Sequence, residues 1–262
     1  RQVSVTEYER IPNHTMNWSP SSKADRRAEK SVSQAIKLTI FYIKTQRRKN
    51  FSLDEINQEG ETLKGREWSR LINSVKIEFE DANISGMFSW TTRDANKENK
   101  TIFINRYFLR QLRRRNLRSP EKKRLVFMLS VCLFHEVAHL TFRWKGQRQT
   151  PSKFVEPGNF SENSAFGGLI RMVVSKNRKN PCCGVILRRH EGYYRIKQEY
   201  MNRLVQKTEL NMLDLRPEVF KTQYYPPPGK MVWKGRETYR KTGAGFGRNA
   251  KILGNLCGIT KK

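Results

Sequence analysis

Acidic residues, histidine and cysteine are all scarce in this 262-residue chain. It has 24 Asp and Glu against 52 Lys and Arg, four His and four Cys. Cys132 sits in an apolar run, Cys182 and Cys183 are adjacent, and Cys257 stands alone. No C-x-x-C pair offers a zinc knuckle. A disulfide framework is not expected either, which favours an intracellular address, a nuclear one included, over secretion. Against that stand six N-x-[ST] sequons, at Asn13, Asn17, Asn50, Asn83, Asn99 and Asn159, where composition alone gives about two. No uninterrupted run of about twenty apolar residues is present, so a membrane-spanning segment is not expected. Wholesale disorder is excluded by 14 Phe, 9 Tyr and 5 Trp in patterned segments, enough for one sizeable core.

Positive charge is plentiful. The formal net charge is +28, which attracts polyanions such as nucleic acid or anionic lipid. It is unevenly spread: residues 1–100 carry 18 bases and 14 acids, residues 101–262 carry 34 and 10. Arg113, Arg114, Arg115, Arg118, Lys122, Lys123 and Arg124 form the densest run and are the candidate polyanion-binding residues.

Periodicity divides the chain into an irregular arm (1–20), a core (21–175) and a basic C-terminal lobe and extension (176–262). Helices are expected over Ser22–Gln46 and Glu61–Asn73. Strands are expected at Val75–Phe79, where apolar and charged residues alternate, at Ile84–Thr91 and at Thr101–Asn105. Ser119 as N-cap and Pro120 at the first helical position open a long apolar helix running to about Trp144. A further helix is expected from Pro157 or Asn159 to Val174, and another over Tyr193–Leu213. The last 45 residues lack sustained periodicity; their aromatics Tyr224, Tyr225, Trp233, Tyr239 and Phe246 lie among basic residues, a composition suited to stacking on unpaired bases.

Within the apolar helix lies His135-Glu136-Val137-Ala138-His139. The i, i+4 spacing puts both imidazoles on one face, where one tetrahedral ion can take both. Glu136 points to the adjacent side and can polarise a metal-bound water. Such a match arises by chance about once in several hundred chains of this composition. Two His and a Glu in an apolar helix are costly to bury without a partner, and a metal repays them. A third ligand must come from elsewhere, and no His follows His139 within ten residues. Glu162 is favoured, because on a continuous helix it shares a face with Phe166, Leu169 and Val173. Glu156 is the alternative, as ligand or as N-cap.

These residues resemble the gluzincin division of zinc metallopeptidases: an H-E-x-x-H helix followed by a glutamate on the next helix. The stretch Glu156-Pro-Gly-Asn-Phe-Ser-Glu162 with Phe166-Gly167-Gly168 also resembles a pattern in uncharacterised fungal zincin-like proteins. The chain lacks the Asn-Glu-x-x-x-Asp signature of thermolysin-like enzymes. The resemblance covers about residues 75–175 and implies an α+β, zincin-like fold, with a small mixed sheet packed on the motif helix and the Thr101–Asn105 strand as an edge for an extended peptide. It implies Zn2+ held by His135, His139 and Glu162 or Glu156, with Glu136 as general base. It also implies a protein or peptide substrate and a downstream His or Tyr stabilising the tetrahedral intermediate, for which His190, Tyr193 and Tyr194 are the candidates. The competing reading is a polyanion- or nucleic-acid-binding protein whose zincin core is structural or degenerate.

Overall fold

The computed structural model describes residues 16–48, 65–82, 87–91, 100–144, 156–175, 182–206, 217–221 and 250–253. Helix α1 (Lys23–Arg48) opens on Ser22 as N-cap: Asp25 N–H donates to Ser22 Oγ at 3.1 Å, and the Ser22 hydroxyl donates to the Asp25 carboxylate at 2.8 Å. Then follow α2 (Gly65–Ser74), β1 (Lys76–Glu80), β2 (Ser89–Thr91), β3 (Thr101–Asn105), α3 (Tyr107–Leu112), α4 (Ser119–Trp144) and α5 (Pro157–Phe166). The chain continues through β4 (Leu169–Ser175), β5 (Gly184–Arg189), β6 (Gly192–Ile196), α6 (Gln198–Gln206), β7 (Val219–Lys221) and β8 (Ala250–Leu253). The architecture is α+β.

The axis of the molecule is α4, which carries the H-E-x-x-H motif. Every residue from Leu125 to Arg143 is buried, with α1, α5, α6 and strands of both sheets around it. By length and composition this helix is apolar enough to cross a membrane, yet its apolar part lies inside the fold, as in a core helix. It starts one residue earlier than its Ser-Pro signal suggests. Lys122 N–H bonds to the Arg118 carbonyl at 3.0 Å, and the Glu121 carboxylate accepts from Arg118 N–H at 3.1 Å, so Arg118 occupies the cap.

Two small sheets flank the helices. The first has the order β1-β3-β2, with β1 parallel and β2 antiparallel to β3, and is therefore mixed. Thr101–Asn105 is its central strand, because neighbours on both sides use its backbone groups; β1 and β2 are the edges. The second sheet is antiparallel, in the order β7-β6-β5-β4-β8. Its strands β4 and β5 pair directly, Val173 opposite Gly184.

This second sheet corrects two helix expectations. The helix begun at Pro157 stops at Phe166: Gly167 takes φ 69° and its N–H caps back onto the Asn163 carbonyl at 2.8 Å. The β-branched and apolar run after Gly168 then pairs as β4. Likewise Tyr193–Ile196 is strand, joined to β5 through His190 and Glu191, and only Gln198–Gln206 is helical. Residues 207–216 lie outside the described residues, as do the five C-terminal aromatics. Within the stretch read as aperiodic, Val219–Lys221 and Ala250–Leu253 form the edge strands β7 and β8.

Helix α5 is seated on α4 by aromatic packing. Phe166, fully buried, meets Tyr42, Phe127 and Phe134 edge-on at centroid distances of 5.3, 6.3 and 6.1 Å. That contact fixes the C-terminal end of α5, and so the approach of its N-terminal end to the motif histidines.

Candidate metal centre

His135 and His139 stand one turn apart on α4, their ring centroids 5.3 Å apart. Both are buried. Glu156 reaches them from the start of α5. Its Oε1 lies 3.0 Å from His135 Nε2 and also contacts His139 Nε2. One donor atom from each of these three residues falls within 4.8 Å of the others. His139 Nε2 is buried without a hydrogen-bond partner among the described residues, so its contact with the carboxylate lacks hydrogen-bond geometry. An orphaned imidazole nitrogen, a second nitrogen and a carboxylate oxygen converging on one point fit a divalent cation of the zinc type. The remaining polar surface of Glu156 is satisfied by the helix it caps. Gly158 N–H donates to Oε1 at 3.2 Å and Asn159 N–H to Oε2 at 2.8 Å. Burial works against ionisation of this carboxyl, but the two histidines outweigh it and hold the group well below the usual carboxylate range.

Glu162 is placed differently. Its Oε1 lies 2.7 Å from His135 Nδ1, on the opposite edge of the ring from Glu156. Its Oε2 accepts from Ile170 N–H at 2.7 Å, with the Arg171 guanidinium 3.6 Å away. This side chain is fully buried. A carboxylate on Nδ1 keeps a proton there, so that Nε2, on the Glu156 side, is the nitrogen available to an ion. The helical-face argument for Glu162 fails locally, since Leu169 and Val173 belong to β4. The buried carboxylate answers a ring proton, a backbone N–H and a guanidinium.

Glu136 is 1 % exposed. Its Oε1 accepts from the Ser89 hydroxyl at 2.9 Å, bringing β2 against the motif. Gly158 packs against the other flank: a Cβ at this position would fall within the His135 ring. Sequence reasoning missed Ser89, Gly158 and Arg171. Only the glycine left a trace, as part of the Glu-Pro-Gly stretch.

The remaining predicted residues lie apart from this cluster. His190 is at the tip of the β5–β6 hairpin, its side chain 96 % exposed and paired with Glu191 at 2.8 Å. Tyr194 lies under the Arg189 guanidinium, and Tyr193 is buried in β6. Part of the basic run is bound internally. Arg113 pairs with Asp25 at 3.2 Å, Arg118 pairs with Glu121, and Arg124 bridges the Cys182 carbonyl and Gln198. Arg115 and Lys122 are exposed.

Two buried histidines and a half-buried glutamate, with a further carboxylate beside them, form a donor set that could hold a metal ion, of the kind metallopeptidases use. The match to known families agrees. A family model described as metallopeptidase toxin 3 covers residues 27–167, from near the start of α1 to the C-cap of α5. The chain belongs to that family. The matched span holds Ser89, His135, Glu136, His139, Glu156, Gly158 and Glu162. No curated protein and no solved structure matches the chain.

Proposed function

We propose that this protein is a zinc-dependent peptidase with a gluzincin-like centre on a zincin-like core, in which His135, His139 and Glu156 are the metal ligands. The carrying observation is the convergence of both Nε2 atoms on Glu156 Oε1. Glu162 is the orienting carboxylate: it holds the His135 ring by its Nδ1 edge while the Arg171 guanidinium and the Ile170 amide hold the carboxylate in turn.

When bound, a zinc ion supplies a Lewis acid that polarises the scissile carbonyl and acidifies water. Glu136 accepts a proton from the attacking water as the new C–O bond forms at the carbonyl carbon. The same carboxyl then delivers that proton to the departing nitrogen as the C–N bond breaks. Burial of α4 keeps bulk water from Glu136, so the proton passes between defined partners. Peptidase membership makes protein or peptide the substrate class, and the exposed part of the basic surface favours acidic targets.

The test is a pair of variants. Glu136→Gln is expected to keep its metal and lose turnover of an unfolded protein substrate, whereas His139→Ala loses the metal itself. Metal content equal and negligible in wild type and His139→Ala would remove the metal site. Turnover retained by Glu136→Gln would remove the general base.

A further inference from the structure

We infer that Ser89 is a positioning residue for Glu136, an assignment that rests on the peptidase reading above. Glu136 is a long side chain with a carboxylate free to rotate, and it works only when one oxygen is aimed at the water it must deprotonate. Inside the fold, bulk water cannot hold that orientation, because Glu136 is 1 % and Ser89 0 % exposed. The Ser89 hydroxyl donates to Oε1 at 2.9 Å. That bond pins one oxygen and assigns the proton transfer to the other, Oε2.

The pin is rigid because its base is rigid. Ser89 begins β2, whose three residues pair in register with Ile104, Phe103 and Ile102 of β3. Two residues on, Thr91 Oγ1 accepts from the buried Arg143 guanidinium at 2.6 Å. Arg143 follows Glu136 by seven positions, nearly two whole turns, so both leave α4 on the same face. Strand and helix are thus joined at two points, one of them on the base. Ser89 and Thr91 are two apart and face the same side of β2. The strand therefore presents both hydroxyls to α4, and the geometry of the base depends on the sheet edge.

The experiment compares Ser89→Ala, Ser89→Thr and Glu136→Gln with wild type by kcat, KM and metal content, with thermal unfolding of the metal-free proteins alongside. Ser89→Ala is expected to keep wild-type metal and KM while kcat falls between about ten- and a hundredfold. Ser89→Thr, which retains the hydroxyl, keeps kcat within about threefold of wild type. In the metal-free state the unfolding shifts of Ser89→Ala and Glu136→Ala, each of which removes the hydrogen bond, are non-additive in the double variant, as for two groups in contact. Should alanine not fold, Ser89→Cys fills similar space with a weaker donor and is judged by the same criteria. A wild-type kcat in Ser89→Ala, a loss matched by loss of metal, or simple additivity overturns the assignment. Failure of the peptidase reading looks different: Glu136→Gln itself keeps turning substrate over.

Discussion

Exchanging Glu156 and Glu162 for glutamine, one at a time, separates a ligand from the residue that orients one. Apparent metal-binding free energies of structural zinc sites are about 10–16 kcal/mol. Shared over four coordination positions, each ligand carries about 2.5–4 kcal/mol. Glu156→Gln removes the anionic oxygen that meets both Nε2 atoms, so the affinity is expected to drop about a hundred- to a thousandfold. The fold should survive. A glutamine oxygen can still accept from Asn159 N–H, so the capping penalty on α5 stays below about 1 kcal/mol. Glu162→Gln leaves all three donors in place and weakens the grip on His135 Nδ1, along with the carboxylate's own contacts to Ile170 N–H and Arg171, a change that costs about ten- to a hundredfold in affinity. Competition against a chelator of known zinc affinity, with circular dichroism as the control for folding, measures both. A larger loss in Glu162→Gln than in Glu156→Gln, in folded protein, would refute the assignment and move the third ligand to Glu162.

Gly158→Ala should lower metal affinity, because the new methyl enters the space of the His135 ring; wild-type zinc binding in the same competition assay would contradict it. Phe166→Ala removes the buried ring between Tyr42, Phe127 and Phe134 and should cost about 3–5 kcal/mol in denaturant unfolding. A cost near zero would mean that α5 is not held on α4 by this contact. Chelating the metal should lower the melting temperature, since an ion bound only by the folded state stabilises by mass action, and adding zinc back should restore it. Replacing exposed Arg115 and Lys122 with Gln should weaken binding to a polyanion and flatten its salt dependence without altering metal content. An unchanged salt slope would show that these two side chains do not contact the polyanion.

The motif helix was legible because its signals are local. Ser-Pro at one end, a continuous apolar run and the i, i+4 histidines are all read within one stretch of chain, and the observed helix Ser119–Trp144 departs from that reading by one residue at its start. The three strands of the mixed sheet were legible for the same reason, through alternation at Val75–Phe79 and the compact Thr101–Asn105 segment. The order of those strands was not. Nothing in Thr101–Asn105 states that partners will arrive on both of its edges, one from 25 residues upstream in the register Lys76 to Thr101.

The glutamates show most clearly where reading along the chain stops. Both were picked out by being acidic in a basic background, but their roles turned on whether the helix continued past Gly167. Periodicity alone cannot distinguish a helix from a strand over a short apolar run, and Leu169–Ser175 is such a run. Once the αL glycine ends α5, the face argument for Glu162 loses two of its three residues, and the choice passes to tertiary geometry. There, the residue that caps the helix has an advantage that sequence hides. An N-cap carboxylate is already held by two backbone amides and by the positive end of the helix, so one side chain can fix its own helix and still offer an oxygen to an ion. Glu162, enclosed by His135, Ile170 and Arg171, has its oxygens committed before any ion arrives. The proposed division of labour between the two carboxylates rests on that difference in partners: Glu156, whose Oε1 also meets both histidines, is the proposed ligand, and Glu162 the proposed orienting group.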